Sequence, residues 1–200
     1  LVTIQTVSFE AEDYEAHIET AAVTGDASDA ARFLNARYVA EGEALYKQFL
    51  AQRNEMETKG GGHLSVTSSY ETVRDDPLLL TIVRTETRSE GSTSVVRTFD
   101  TIDKQLDLVV TLPSLFIDDS YIDTLQRIIE EQIAHSEDQT YFNRSITIDP
   151  NQSFFINEQN ELVIAFDKYE IAAGAYGPVE FVIPTEKIDY LLVSDRYIHN

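Results

Sequence analysis

The 200-residue chain contains no cysteine, which excludes a disulfide framework, a thiolate nucleophile and a cysteine-based zinc site. No stretch of it approaches the roughly 18 consecutive apolar residues that a membrane-spanning helix requires. Basic residues are scarce, since 15 lysines and arginines stand against 35 aspartates and glutamates, for a formal net charge of −20. Nucleic acids and anionic membrane surfaces bind clustered basic side chains, so neither is expected as a partner.

The residues that are present are sufficient for a packed core. Hydrophobic residues make up 42% of the chain and aromatic residues 10%, which is typical of a folded protein. The acidic residues are spread along the whole sequence and do not form a tail. Such a surface either keeps the protein soluble or attracts a cationic partner, and composition alone leaves both interpretations open.

The N-terminal half predicts a strand and a long helix. Residues 1–10 are rich in β-branched side chains, which favours a strand, and we expect an acidic connector from there to about Thr24. Asp26 or Ser28 then caps a helix over residues 30–59, where apolar residues recur every three or four positions. Three consecutive glycines predict the end of this helix.

Further strands and a second helix follow. Apolar or alternating runs between turn residues predict strands at 63–73, 78–88, 93–102, 106–111, 153–156, 162–166 and 180–183. The second helix is expected to open at Asp118 to Ser120, and on strand 78–88 we expect a solvated face that includes Arg84. The fold class predicted is α+β, with a mixed, mainly antiparallel sheet and two principal helices packed on it.

We expect two regions that pack as one unit. Residues 1–110 form an N-terminal α+β region with the long helix and the central strands. Residues 111–200 form a C-terminal region with a helix and a hairpin. The chain begins at Leu1 and not at methionine, so we also expect a signal or a membrane anchor outside the sequence given.

No motif of a catalytic or cofactor site is present. The chain has no Gly-x-Ser-x-Gly, His-Glu-x-x-His or phosphate-binding glycine loop, and its four histidines do not lie in a recognisable nucleophile–base pattern. Asp118, Asp119 and Asp123 could ligate calcium, but capping of the second helix is the simpler interpretation. We therefore predict no catalytic residue, no cofactor and no metal.

Two runs in the C-terminal region resemble a known family. They are Phe166-Asp-Lys-Tyr169-Glu170-Ile171-Ala172, followed by Gly177 and Glu180-Phe181-Val-Ile-Pro184, and upstream Thr111-Leu112-Pro-Ser-Leu115-Phe116. Together they resemble the C-terminal domain of a bacterial extracytoplasmic family. That family includes the lysozyme-sensing ectodomain of the anti-sigma-V factor and the non-catalytic domain of some peptidoglycan deacetylases. The run Ala31-Arg-Phe33-Leu34-Asn35 is more loosely similar to the domain that precedes it in these proteins.

The resemblance implies a non-enzymatic sensor or binding domain on the extracellular face of a bacterial membrane, held there as part of a membrane-anchored anti-sigma factor. A basic protein such as lysozyme would bind the folded domain and expose a cleavage site in the membrane-proximal segment, which releases the sigma factor. The alternatives are an accessory domain of a cell-wall-modifying, peptidoglycan deacetylase-like protein and a surface lipoprotein of another role.

The connection between the last two predicted strands is the predicted partner-binding segment. It combines small residues with one aromatic side chain and is flanked by acids, a composition that suits docking into a basic cleft. The partner-binding residues predicted are Tyr169, Glu170, Ala173, Gly174, Ala175, Tyr176 and Glu180.

Overall fold

The computed structural model describes residues 1–25, 28–137, 142, 145–168, 170–171 and 178–200. Within these ranges the strands are β1 Val2–Ala11, β2 Tyr14–Val23, β3 Leu64–Asp75, β4 Leu79–Glu90, β5 Ser92–Asp103, β6 Leu108–Val110, β7 Phe154–Ile156, β8 Leu162–Phe166 and β9 Val179–Ile183. The α-helices are α1 Asp29–Thr58 and α2 Tyr121–Ala134, and single 3₁₀ turns lie at Pro113–Leu115, Thr185–Lys187 and Asp189–Leu191.

The strands form two sheets. The larger sheet has the order β1-β2-β3-β4-β5-β6, and the smaller one has the order β7-β8-β9. In the larger sheet β1–β2 and β3–β4 are antiparallel, whereas β2 and β3 are parallel because α1 carries the chain from one end of the sheet to the other. In the smaller sheet both pairs are antiparallel. The α+β class with a mixed, mainly antiparallel sheet and two principal helices is thus confirmed.

The described residues divide into two compact units. The N-terminal unit comprises Leu1–Thr98 and Ile102–Val109, and the C-terminal unit comprises Phe99–Thr101 and Val110–Asn200. The assignment of residues 1–110 and 111–200 to separate regions stays a prediction.

The expectation of an acidic connector up to Thr24 is wrong, because residues 14–23 form β2. Tyr14, Ala16 and Ile18 are buried at alternating positions of this strand, and they pack with Leu64 in the core of the N-terminal unit. The intervening glutamates hid the pattern, and the buried alanine is too small to give a clear hydrophobic alternation.

The long helix α1 is confirmed, and both of its ends have a local cause. Of the two proposed caps, the Ser28 hydroxyl accepts the Ala31 N–H at 2.9 Å, while Asp26 lies outside the described residues. At the other end Gly61 has a φ of 91° and donates its N–H to the Met56 carbonyl at 2.8 Å. Not every apolar residue of this helix is buried, since Phe33 is 59% exposed.

The N-terminal core lies between α1 and the strands on which it packs. Leu45 and Phe49 of α1 contact β2 and β3 residues, and Tyr38 packs edge-on against Tyr70 with ring centroids 5.0 Å apart. The predicted solvated face of β4 is only partly correct. Arg84 is 6% exposed, because its guanidinium is held between Glu86 and Glu41 and does not reach out into bulk water.

The core of the C-terminal unit is built by α2 and the small sheet. The buried stripe of α2 includes Leu125, Ile128 and Ile129, and every residue of β8 is buried. The ring of Tyr121, at the start of the helix, stacks on Phe116 with centroids 4.4 Å apart. These contacts fix the framework that presents the connection between β8 and β9.

Candidate recognition surface

The connection between β8 and β9 is anchored at both ends. Ile171, on its first side, and Val179, on its second, are buried in the C-terminal unit. Val179 pairs with Phe166 in the β8–β9 ladder, so the connection leaves and re-enters the sheet at one end. The buried side chains of Ile171 and Val179 therefore fix the two ends of the connection.

Two of the predicted partner-binding residues are described, and both are exposed carboxylates near this end of the sheet. Glu170 accepts the Asp167 N–H at 2.9 Å and closes a turn directly after β8. Glu180 is opposite Ala165 in the ladder and turns its side chain outward. The other predicted residues, Tyr169, Ala173, Gly174, Ala175 and Tyr176, lie outside the described residues.

The C-terminal half of α2 lies against the outer strand β9. The Gln132 side chain donates to the Val182 carbonyl at 3.0 Å, which holds helix and strand together at their exposed sides. Glu131 is near the Lys187 ammonium at 3.9 Å, so one carboxylate of this region is partly neutralised. Glu130 and Glu180 are further exposed carboxylates of the same region.

The charge of the C-terminal region is strongly one-sided. Residues 111–200 contain 16 acidic and 5 basic side chains, a formal net charge of −11. An excess of charges of one sign produces an electrostatic field that extends about 8–10 Å at physiological ionic strength. A cationic macromolecule is therefore attracted to this unit before contact.

A serine–histidine–carboxylate contact that the sequence did not indicate lies on the β1–β2 hairpin. The Ser8 hydroxyl is 3.2 Å from His17 Nδ1, and His17 Nε2 is 3.5 Å from Glu10. The register Ser8↔His17 across the two strands brings these residues together, so only a correct pairing of β1 with the unrecognised β2 could have revealed it. The His17 and Glu10 side chains are 41% and 73% exposed, which leaves the contact in water.

Several carboxylates serve turns and helix ends. Asp76 accepts the N–H groups of Leu78 and Leu79, each at 2.8 Å. Asp118 accepts the Ser120 N–H at 2.9 Å and closes a turn just before α2. The N-cap residue Ser120 makes no side-chain capping hydrogen bond, so the capping interpretation is not confirmed for this helix. Among the described residues no group of three or more histidines and carboxylates is arranged to hold a metal ion.

Neither described helix combines the length and the apolar character that crossing a membrane would require.

Comparison with known proteins gives matches in sequence and in fold. Residues 113–186 match the family described as "Protein of unknown function (DUF3298)". The anti-sigma-V factor RsiV of Bacillus subtilis (strain 168) is 40% identical over 178 residues. That alignment covers 82% of this chain and 60% of RsiV, so the chain spans about 60% of the length of this relative.

Two solved structures share the fold. A DUF3298 family member from Bacteroides fragilis NCTC 9343 superimposes with a TM-score of 0.71 at 16% identity, over 98% of this chain and 94% of that one. A DUF3298 family protein from Pseudomonas aeruginosa PAO1 gives a TM-score of 0.71 at 12% identity, over 100% and 97%. The family resemblance identified in the sequence is confirmed by these matches together.

Proposed function

Residues 113–186 are a DUF3298 domain in a chain related to an anti-sigma-V factor, and from this relationship we propose that the chain is the sensing ectodomain of an anti-sigma factor. The observation that carries the proposal is the 40% identity to RsiV over 178 residues, which extends well beyond the DUF3298 segment into the N-terminal unit. The domain acts by binding a partner on the extracellular face of a bacterial membrane, and it transforms no substrate.

The partner is a basic protein such as lysozyme. The net charge of −11 in residues 111–200 supports this choice, because it opposes anionic ligands and accelerates encounter with cationic ones. Exposed Glu170 and Glu180 flank the connection between β8 and β9, so carboxylates stand at both sides of the predicted binding segment. Binding there releases the sigma factor by exposing a cleavage site in the membrane-proximal segment of the full protein.

The surroundings of the Ser8–His17–Glu10 contact support a non-enzymatic role. Acyl transfer needs a nucleophile near donors that stabilise an oxyanion, in a site from which water is excluded. Here the three side chains lie on an open hairpin, with Glu10 73% exposed, so charge on it is screened by solvent. The contact is therefore interpreted as an ordinary cross-strand pair.

Calorimetry with lysozyme at 20 mM and 300 mM salt tests the proposal. We expect binding that weakens by about tenfold or more at the higher salt, since several ion pairs across the interface are screened. Cytochrome c, another basic protein, is the control and should bind much more weakly at both concentrations. A matched variant pair, Glu180→Gln and Glu12→Gln, removes one exposed carboxylate from each unit, and only Glu180→Gln should raise the Kd for lysozyme.

Absence of lysozyme binding at 20 mM salt would contradict the proposed partner. Equal affinity for lysozyme and cytochrome c would show attraction by charge alone, which would contradict a specific sensing role. Binding of peptidoglycan fragments with little dependence on salt would instead favour an accessory domain of a cell-wall-modifying protein.

A further inference from the structure

Three large apolar side chains of the C-terminal unit are exposed on two neighbouring segments of the chain. Ile117 is 60% exposed, Tyr190 64% and Val193 57%. The backbone holds their two segments side by side. The Ile117 N–H donates to the Leu191 carbonyl at 2.9 Å, and the Val193 N–H donates to the Leu115 carbonyl at 3.0 Å. We call these three residues the 117/190/193 patch.

The backbone beneath the patch is fixed by the core. Leu115 and Leu191, whose carbonyls accept the N–H groups of Val193 and Ile117, are both buried. Phe116 stacks on Tyr121 of α2 with ring planes only 7° apart. A surface held in this way loses little conformational entropy on binding, so more of its contact energy is available for affinity.

Carboxylates surround the patch in the chain. Asp118 and Asp119 follow Ile117 directly, Asp189 precedes Tyr190, and Asp195 lies two residues after Val193, all of them exposed. Hydrogen bonds from the Ser120 side chain and backbone lower the pKa of Asp118, which favours its ionised form. The basic residue Arg196 follows Asp195, and its guanidinium lies 5.6 Å from the centre of the Tyr197 ring.

The apolar side chains of the 117/190/193 patch and the carboxylates close to them in the chain favour one class of partner. A second copy of the chain would bring these carboxylates against their equivalents, at −20 formal charges per copy. An anionic lipid surface would be repelled in the same way. A cationic protein satisfies both components, because its apolar side chains contact the patch while its basic side chains face the carboxylates.

We propose that the 117/190/193 patch is a contact surface for the cationic protein that the domain senses. The inference rests on the proposed function and extends it to residues outside the connection between β8 and β9. Tyr190 is the main anchor, since tyrosine offers a large contact area at a low entropic cost. Ile117 and Val193 add apolar contact area and exclude water from the contact.

The test compares Tyr190→Ser with Phe33→Ser in the 200-residue chain, with lysozyme as the probe. Phe33 is the matched control because it is an aromatic residue of nearly equal exposure, 59%, on α1 of the N-terminal unit. We expect Tyr190→Ser to raise the Kd for lysozyme by about tenfold or more, as truncation of a central aromatic contact does. Phe33→Ser should leave the Kd within about twofold of the unchanged chain, because it lies outside the patch.

A second variant and a salt series complete the design. Ile117→Ser combined with Val193→Ser tests the patch without Tyr190, and circular dichroism melts verify that each variant is folded. Both patch variants should keep the salt dependence of the unchanged chain, since they remove no charge. Asp189→Asn combined with Asp195→Asn should reduce that dependence.

The outcomes separate the two proposals. If the unchanged chain binds lysozyme and the folded patch variants bind equally well, the patch inference is overturned while the sensing function stands. Equal weakening by Tyr190→Ser and Phe33→Ser would also overturn it, because the effect would not be local. If the unchanged chain binds no lysozyme at low salt, the proposed function fails first and the inference falls with it.

Discussion

The carboxylate of Asp107 accepts the Ala30 N–H at 3.1 Å, although the two residues are 77 positions apart in the sequence. Its second oxygen accepts the Asp29 N–H at 3.0 Å, and the Ser28 hydroxyl accepts the Ala31 N–H. Side chains thereby satisfy three of the N–H groups that the first turn of a helix leaves free. The cap ties the β5–β6 turn to the start of α1 within the N-terminal unit.

Removal of this cap should destabilise the N-terminal unit. Asp107 adopts a φ of 53°, a conformation that aspartate and asparagine tolerate better than alanine. Asp107→Ala loses both the acceptors and the backbone preference, and we expect its Tm to fall by several degrees. Asp107→Asn keeps one acceptor and the backbone preference, so its Tm should fall by less. Glu43→Ala, on the exposed side of α1, is the control. If thermal melts show that its Tm falls as far as the Tm of Asp107→Ala, the contribution of the cap is contradicted.

The same cap predicts a contribution to acid sensitivity. Hydrogen bonds from the Ala30 and Asp29 backbone, followed by the Ser28 side chain, lower the pKa of Asp107 in the folded state. As the pH falls, the Asp107 carboxylate is therefore protonated at a higher pH in the unfolded chain than in the folded one. The stabilisation is present above pH 4 and is lost progressively below it. Melts between pH 3 and pH 6 should show the difference between the unchanged chain and Asp107→Asn shrinking towards the acid end. If the stability difference between the two chains grew as the pH fell, the lowered pKa of Asp107 would be contradicted.

Close packing between α1 and β2 gives a third prediction. A Cβ added at Gly42 would lie 2.7 Å from Thr20 Oγ1, well inside van der Waals contact. Gly42→Ala should therefore lower the free energy of unfolding by about 1–2 kcal/mol, since overpacking outweighs the helix propensity of alanine. With Thr20→Ala as the background the clash is gone, and the same change should stabilise the helix by up to about 1 kcal/mol. Urea unfolding of the four chains measures this cycle, and equal effects in both backgrounds would exclude the clash.

Much of the fold was predictable because strong local signals agree with it. The apolar spacing of α1, its Ser28 cap and its glycine stop all lie within one segment, and β8 is a continuous apolar run. The strand β2 was missed because its buried face uses alanines, so hydrophobicity alone gave too weak a pattern. The exposure of Phe33 and the burial of Arg84 depend on tertiary neighbours that no local pattern contains.

The candidate site was less predictable than the fold. Glu170 and Glu180 are predicted from the acidic flanks of the connection between the last two strands, and the β8–β9 register places Glu180 opposite Ala165 in the small sheet. The 117/190/193 patch could not be predicted, because it requires the backbone bridge between Phe116 and Leu192. Residues 76 positions apart meet there without any periodic signal, and an exposed apolar side chain looks the same in sequence as a buried one.

The exposed serine–histidine contact predicts no hydrolysis. If Ser8 and His17 formed a working pair, replacement of either residue would abolish the turnover of an activated ester. We expect the unchanged chain, Ser8→Ala and His17→Ala to hydrolyse p-nitrophenyl acetate at the same slow rate, within about twofold. A fall of about a hundredfold in both variants, with His63→Ala unaffected, would establish an activity and contradict the non-enzymatic role.

We expect the buried Arg84 side chain to stabilise the fold more through the volume that it fills than through its charge. The Arg84 side chain is 7% exposed, and its Nη1 lies 3.0 Å from Glu86 while Nε lies 3.7 Å from Glu41. These two carboxylates are about one third exposed, so water can solvate them when the arginine is replaced. Arg84→Met preserves most of the volume and should cost less than about 1 kcal/mol, whereas Arg84→Ala should cost about 2–3 kcal/mol by leaving a cavity.

Urea unfolding of Arg84→Met and Arg84→Ala distinguishes these two contributions. If both variants lost the same 2–3 kcal/mol or more, the ion pairs would hold α1 and β4 together and the packing would be secondary. If Arg84→Met is nearly neutral, the carboxylates have exchanged the guanidinium for water, as their exposure predicts. Glu86→Gln is the matched control, because it removes one charge of the cluster from a partly exposed position without opening a cavity. It should therefore behave like Arg84→Met and unlike Arg84→Ala.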